Sequence, residues 1–253
     1  MTKYGPWALI AGASEGIGAA FARALAGQGI NLVLAARRPE PLTQLASELT
    51  VQTRTVAADL STHDGVEAVI HAADGLEVGL LVANAAFSPI GPFAQADPAE
   101  LQRAIDLNCR APMLLARHFL PAMITRGRGG IIVLSSLAGQ QGSPGLSVYA
   151  ATKAFGVILA EGLWAEAREH GVDVVACVPG AVETPGLIGK SKSRAPGTVA
   201  PDVVAASALS ALGRRPRVVP GALMRFSSQL MTRLMPRRSA ITMIAKASRK
   251  TLA

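Results

Sequence analysis

Cysteine is nearly absent from this chain of 253 residues: it has two, Cys109 and Cys177, which form no CxxC pair. That argues against a disulfide-stapled fold and for a reducing compartment. The four histidines, His63, His71, His118 and His170, are scattered without the spacing of metal ligands, so no metal site is expected. Aromatic residues make up 4% of the chain, too few for the stacking stripe of a nucleic-acid binder. Long hydrophobic runs are also missing. Stretches such as Gly130–Leu134 and Val174–Val178 fall far short of the ~20 residues of a spanning helix. The opening is not that of a secretory signal, since Trp7–Ile10 leads straight into a glycine-rich turn. The expectation is a cytoplasmic protein.

Acids are scarce at one end only. Residues 1–183 carry 12 Lys/Arg against 16 Asp/Glu, a balance of −4, whereas from Thr184 onward there are 13 Lys/Arg and one acid, Asp202, a balance of +12. The net charge of +8 therefore belongs to a basic tail on a slightly acidic body. A basic surface alone suggests a nucleic-acid partner, but this charge is confined to one end and comes with no recognised binding motif.

What the chain does have is apolar residues, at 50%, in short runs that alternate with segments of helical period. That alternation predicts an α/β fold with a parallel sheet and crossover helices. Strands are expected at Trp7–Ala11, Asn31–Ala35, Arg54–Ala58, Gly79–Ala83, Gly130–Ser135, Asp173–Val178 and Arg217–Val219. Helices are expected at Gly16–Gln28, Glu40–Leu49, Asp64–Ala73, Pro98–Ile124, Val148–His170 and Asp202–Leu212. Asp97, Pro98 and Glu100 supply an N-cap, a first-turn proline and a capping-box acid. Gly186–Gly197, rich in Gly, Ser and Lys, reads as a mobile loop or short lid. The domain reading is a single unit, residues 1–213, with the last strand and a basic helical extension in residues 214–253.

The first strand ends in Ala11-Gly12-Ala13-Ser14-Glu15-Gly16-Ile17-Gly18 and runs on into a helix. Gly12 permits a tight exit, Gly16 lets backbone approach a pyrophosphate, and Gly18 lets the helix pack closely on the sheet. Strand two ends Ala35-Ala36-Arg37-Arg38. An acid there would favour NAD(H) by bonding ribose hydroxyls, but Ala36 stands in its place and Arg37 follows, which favours NADP(H) through its 2′-phosphate. Glu15, beside the second glycine, weighs mildly against this.

Only two tyrosines occur, Tyr4 and Tyr149. The second begins Tyr149-Ala150-Ala151-Thr152-Lys153, which places Lys153 one helical turn along the same face. An ammonium there would lower a phenol pKa of about 10 toward working pH. Ser136, thirteen residues before Tyr149, follows the fifth strand, where open α/β sheets place their sites. Asn108 falls inside a predicted helix, where an amide either faces solvent or serves a buried polar network.

These features in this order resemble the short-chain dehydrogenase/reductase family, over about residues 5–220. The resemblance also rests on Asp59-Leu60, on Ala83-Asn84-Ala85-Ala86, and on Pro179-Gly180 with Thr184. It implies a Rossmann-type, doubly wound, seven-stranded parallel sheet with helices on both faces. Tyr149 would be the general acid for ketone reduction and the base for alcohol oxidation. Lys153 would lower its pKa and hold the nicotinamide ribose. Ser136 would polarise the substrate carbonyl, and Asn108 would keep a water in a proton relay. The cofactor would lie along Gly12, Ser14, Glu15, Gly16, Ile17, Gly18, Arg37 and Arg38, with Asp59 and Leu60 at the adenine. Asn84, Ala85 and Ala86 would flank its adenosine ribose, and Pro179, Gly180, Val182 and Thr184 its nicotinamide. Ala11 and Ala86 depart from the usual Thr and Gly, which bears on cofactor affinity and not on reaction type.

The opening residues Lys3–Ile10 and the segment Leu32–Leu42 are similar to the hydroxysteroid dehydrogenase and long-chain 3-oxoacyl reductase subgroup, which implies a bulky, hydrophobic ketone or alcohol as substrate. In the tail, Leu223, Phe226, Leu230, Leu234, Ile241 and Ile244 approximate an apolar helical face broken at Pro236. Such a pair of helices covers the cleft, docks on a partner subunit, rests on an anionic membrane surface, or simply packs. Met224, Met231 and Met235 offer adaptable apolar lining or core. The family habit implies homodimers or homotetramers through the two long helices. A silent, cofactor-sensing protein of the same fold is the competing reading, but such a protein is expected to lose Ser, Tyr or Lys, and all three are present.

Overall fold

A computed structural model describes residues 2–184, 197–233 and 235–252. Seven strands form one sheet: β1 (Trp7–Ala11), β2 (Asn31–Ala36), β3 (Thr53–Ala57), β4 (Val78–Ala83), β5 (Gly129–Leu134), β6 (Val172–Cys177) and β7 (Arg217–Val218). Their order is β3-β2-β1-β4-β5-β6-β7, and every pairing is parallel. This is the parallel sheet that the alternation predicts, in the doubly wound Rossmann-type arrangement that the family resemblance implies. The winding reverses between β1 and β4, so a crevice opens at their carboxyl ends.

Helices cover both faces because strand residues alternate between them. Ile10, Leu32, Leu34 and Leu80 belong to one core with Phe21 and Leu25 of α1 (Gly16–Ala26), Leu42 and Leu45 of α2 (Pro39–Glu48), and Val204 and Ala208 of α7 (Pro201–Ala211). Leu9, Val33, Leu81 and Ile131 belong to the other. They pack with Val66 and Val69 of α3 (His63–His71), Leu115 and Phe119 of α5 (Ala111–Arg126), and Val157 and Ala160 of α6 (Ser147–Ala167). The central strands are thus buried on both sides, which is why they read as continuous apolar runs.

The expected Pro98–Ile124 helix is present and runs on to Arg126, with one π-helical turn at Asp106–Arg110 between α4 (Pro98–Ile105) and α5. The Asp97 carboxylate does cap α4, accepting from the Ala99 N–H at 2.9 Å. The widened turn has a local cause. Asn108 is drawn inward at the wide turn, where its amide pairs with the backbone of Phe87, and Pro112 just beyond lacks an N–H.

The basic tail forms α8 (Ala222–Arg233) and α9 (Arg237–Leu252), separated at Pro236 as its residue pattern suggests. The expected lid, Gly186–Gly197, lies outside the described residues apart from Gly197, as does Leu234. Tyr4 belongs to the opposite edge of the sheet, where its hydroxyl donates to Asp173 Oδ2 at 2.6 Å.

Candidate active site

The turn after β1 is held in shape by backbone contacts that exclude side chains. Gly12 has φ +85°, and a Cβ there would lie 2.7 Å from Cα of Ala85. Gly16 has φ +56°, with Thr184 Cγ2 3.0 Å from its Cβ position. At Gly18 the clash would be with the turn itself, 1.9 Å from the Gly12 carbonyl oxygen. Asn84 Nδ2 donates to that same oxygen at 2.7 Å and ties β4 to the turn. Glu15, at the N-cap of α1, makes no side-chain bond to the helix, so its carboxylate leaves the first-turn N–H groups uncapped.

Around this turn opens a cleft of about 350 Å³. Gly12, Ser14, Glu15, Gly16, Ile17, Arg37, Arg38, Leu60, Asn84, Ala85, Ala86 and Thr184 all line it, bringing together residues from five separate places in the chain. Ala36, Ala58 and Leu107 line it too. Ala36 and Ala58 are strand-end residues without functional groups, so no chemical signal marks them in the sequence. Gly18 lies beneath the turn, packed on it. Asp59 is not a lining residue; its carboxylate accepts from Ser61 N–H and Oγ at 3.0 and 2.7 Å and from Arg103 Nη2 at 3.0 Å. Burial alone would raise its pKa, but the Ser61 bonds, then Arg103 and Arg37, leave it lowered. Arg38 meets the Glu15 carboxylate at 2.6 Å. Arg37 is exposed, and among the described residues its guanidinium has no carboxylate partner.

The second group sits where β5 ends. Ser135 and Ser136 are adjacent but have different partners. Ser135 Oγ is buried and donates to the Lys153 carbonyl oxygen at 2.6 Å. The Ser136 hydroxyl accepts from Ala138 N–H at 3.2 Å and lies close enough to the Tyr149 phenol to lower its pKa. Lys153 is buried one turn along α6; its Nζ donates to the Leu134 carbonyl oxygen at 2.9 Å and lies 5.7 Å from the Tyr149 ring centroid.

The electrostatics differ from expectation in one respect. Burial raises the Tyr149 pKa above its usual value, and the nearby Ser136 hydroxyl only partly offsets this. Lys153 is not what sets the direction. Its own pKa is pushed down to about 8, because burial penalises the ammonium.

Asn108 resolves to the buried alternative. Its Nδ2 donates to the Phe87 carbonyl oxygen at 2.8 Å and to Thr152 Oγ1 at 2.9 Å, while Oδ1 accepts from Phe87 N–H at 2.8 Å. Thr152 Oγ1 in turn donates to the Tyr149 carbonyl oxygen at 2.8 Å. Both amide hydrogens are thus spent on protein acceptors. The Asn108 side chain braces the loop after β4 against the helix that carries Tyr149 and Lys153. Thr152 and Phe87 were not legible as parts of the site, because the Thr152 hydroxyl and the Phe87 backbone meet Asn108 only through contacts between distant segments.

Beyond Tyr149 the tail closes one side. Pro179 accepts from Leu137 N–H at 2.9 Å, and Val182 pairs with Val199 in a parallel bridge. Met224 of α8 packs on Gly180, its sulfur 2.8 Å from where a Cβ would stand. Gln140 Nε2 donates to Ser228 Oγ at 2.6 Å, and Ile241 of α9 lies against Gly142. Gln140 and Ser228 carry no family signal in the sequence and meet only through the fold.

The family model for short chain dehydrogenases matches residues 6–195. A very-long-chain 3-oxoacyl-CoA reductase of Anas platyrhynchos is 36% identical over 189 residues, which cover 71% of this chain and 61% of that protein. Among solved structures, a 7beta-hydroxysteroid dehydrogenase superposes with a TM-score of 0.91 at 29% identity, over 96% of this chain and 98% of its own. A short-chain dehydrogenase of Sphingobium yanoikuyae in complex with NADPH gives 0.77 at 32% identity, over 91% and 96%. The glycine turn, the Ser–Tyr–Lys group and these likenesses converge: the chain belongs to the short-chain dehydrogenase/reductase family of oxidoreductases.

Proposed function

We propose that this protein is an NADP(H)-dependent oxidoreductase that interconverts a bulky, hydrophobic ketone and a secondary alcohol, with Tyr149 as general acid and base. The observation that carries the reading is the placing of Lys153, buried one turn along α6 with its Nζ 5.7 Å from the Tyr149 ring centroid and held on the Leu134 carbonyl, just where β5 runs into Ser136.

The cleft suits a dinucleotide. A side chain at Gly12 would collide with backbone, and one at Gly16 would crowd Thr184, so the turn presents bare backbone beside the uncapped start of α1. Arg37 is the residue to hold a 2′-phosphate, which favours NADP(H) over NAD(H). A nicotinamide bound there supplies or takes up the hydride. In the reducing direction Tyr149 gives its phenolic proton to the ketone oxygen, while the Ser136 hydroxyl donates to that oxygen and draws charge onto it. In the oxidising direction the phenolate takes the alcohol proton. The buried Lys153 ammonium, near the ring, favours that phenolate.

Support for a bulky substrate comes from the relatives' hydroxysteroid and very-long-chain acyl names, and from Met224 of the tail beside Gly180. Support for a homodimer or homotetramer comes from Ile105, Met113, Phe155 and Ile158 on α4, α5 and α6, of which Ile158 is 69% exposed. No helix among the described residues is long and apolar enough to cross a membrane.

The test is NADPH and NADH oxidation against steroids, 3-oxoacyl thioesters and small ketones, with Tyr149→Phe as control. Tyr149-dependent consumption of NADPH with one bulky class is the expected result. Tight NADPH binding without turnover in either direction would overturn the reading in favour of a cofactor-sensing protein.

A further inference from the structure

The two sides of α8 face different surroundings. Met224 and Ser228 hold the body of the protein, through Gly180 and Gln140. Leu223, Phe226 and Leu230, at helical spacing on the opposite side, stand 56%, 67% and 42% exposed. Three large apolar side chains thus lie largely exposed in one row on the outside of a surface helix, with the tip of Leu223 against the Gly197 turn.

Beside the row lies a hollow of about 350 Å³ lined by Arg214, Arg215 and Arg225 together with Ser207 and Ser210. Arg225 belongs to α8 itself, on the flank between its two faces. All three arginines are exposed, and none has a carboxylate partner among the described residues. The surrounding sequence does not neutralise them, since from Thr184 to the last residue the only acid is Asp202.

We propose that α8 docks this protein on an anionic phospholipid surface, with Leu223, Phe226 and Leu230 entering the headgroup boundary and the arginine hollow taking lipid phosphates. An apolar row beside a cationic flank is the pattern by which a helix lies in a membrane interface. Guanidinium groups meet phosphate oxygens in charge-assisted, often bidentate bonds. A second copy of the chain fits the same surface poorly. A symmetric contact through α8 sets one cationic tail against another, and the body it could otherwise meet carries only −4 over residues 1–183. Docked in this way, the inner side of α8 stays on the Gly180 and Gln140 loops, so the catalytic edge lies about one helix diameter, ~10 Å, from the headgroups. Only this last consequence, access for a lipid-soluble substrate, rests on the proposed oxidoreductase reading; the docking itself does not.

The experiment is co-sedimentation of the full chain with phosphatidylcholine vesicles and with phosphatidylcholine–phosphatidylglycerol vesicles, at low and high salt. Binding is expected to the anionic vesicles, weakened about tenfold or more by neutral lipid or by high salt. The pair Leu223→Ser and Phe226→Ser is expected to weaken it about tenfold with the melting temperature unchanged, and so is Arg214→Gln with Arg215→Gln. Failure to sediment with anionic vesicles, or equal binding to both kinds, would overturn the proposal. So would a dimer in lipid-free solution that Leu223→Ser and Phe226→Ser dissociate, because the row would then be a subunit contact. None of these readouts depends on turnover, so their outcome is separate from that of the ketone assay.

Discussion

The Glu15 carboxylate and the Arg38 guanidinium meet at 2.6 Å on the rim of the nucleotide cleft, joining the glycine-rich turn to the end of β2. This pair divides two adjacent arginines. Arg38 is engaged by an acid that lies beside the second glycine, and Arg37 has no carboxylate of its own. The acid that seems, in sequence, to weaken a phosphate site instead occupies the neighbouring cation.

Arg37→Ala is therefore expected to weaken NADPH about tenfold or more and to leave NADH nearly unchanged, whereas Arg38→Ala has the smaller effect on NADPH. Glu15→Gln, which releases Arg38, is expected to tighten NADPH. Fluorescence titration of both cofactors checks all three. Equal losses of NADPH and NADH in Arg37→Ala would remove the 2′-phosphate assignment.

The pH dependence follows from two buried groups. Burial keeps the Tyr149 phenol protonated well past neutral pH, so ketone reduction is expected to stay level through neutrality and to decline only in the alkaline range where the phenol ionises. Alcohol oxidation, which uses the phenolate, is expected to climb over the same alkaline range. Stability carries its own signature. Lys153 titrates near 8 in the fold against 10.5 when free, so between these values the unfolded chain holds more protons. Stability then rises with pH across that window, and below it the buried ammonium is a full penalty. Denaturant melts from pH 7 to 11 should show this rise in the wild type and lose it in Lys153→Met.

Tyr149→Phe is expected to abolish turnover while cofactor still binds, because the phenyl ring fills the same space without a proton to give. Retained turnover would remove Tyr149 as the acid and base.

A methyl group at Gly18 would sit 1.9 Å from the Gly12 carbonyl oxygen, inside the turn that the cleft is built on. Gly18→Ala should cost about 2 kcal/mol or more, since backbone has to move. Gly162→Ala, also in a helix but with nothing within 4 Å of the new methyl, should be neutral or stabilising by about 0.5–1 kcal/mol. Thermal melts of the two variants make the comparison.

Asn108→Ala removes three hydrogen bonds and leaves the part-buried Phe87 N–H and carbonyl without this partner, while Thr152 keeps its bond to the Tyr149 carbonyl. A loss of about 2–4 kcal/mol is expected by chemical denaturation. Asn108→Asp does not rescue it, because an ionised carboxylate has no hydrogen to give the Phe87 carbonyl.

How much of this was legible beforehand depends on the range of the physics involved. The seven strands, the two-sided core, the Asp97 cap and the break at Pro236 follow from periodicity and local backbone chemistry, which act over a few residues. So does the pairing of Tyr149 with Lys153, because helical geometry alone sets two residues four apart on one face. The candidate site was legible through its chemistry-bearing side chains, and less so where it is made of backbone. Leu107, Ala36 and Ala58 line the cleft as strand and turn residues whose place is set by neighbours far away in the chain.

The rest was decided by the tertiary structure. The sequence by itself determined the fold class, the glycine turn, and which groups are available to move a proton, since each depends on residue type and short spacing. Only the folded chain engages Ser135 with the Lys153 carbonyl and leaves Ser136 beside Tyr149, opens a π-helical turn around Asn108, and closes Glu15 on Arg38. It alone sets the direction of the Tyr149 shift, because desolvation depends on what surrounds a group and not on its neighbours in sequence. The tail is decided in the same way. Its charge and apolar pattern are local, but which face meets Gly180 and which is left to solvent depends on contacts that span the sheet.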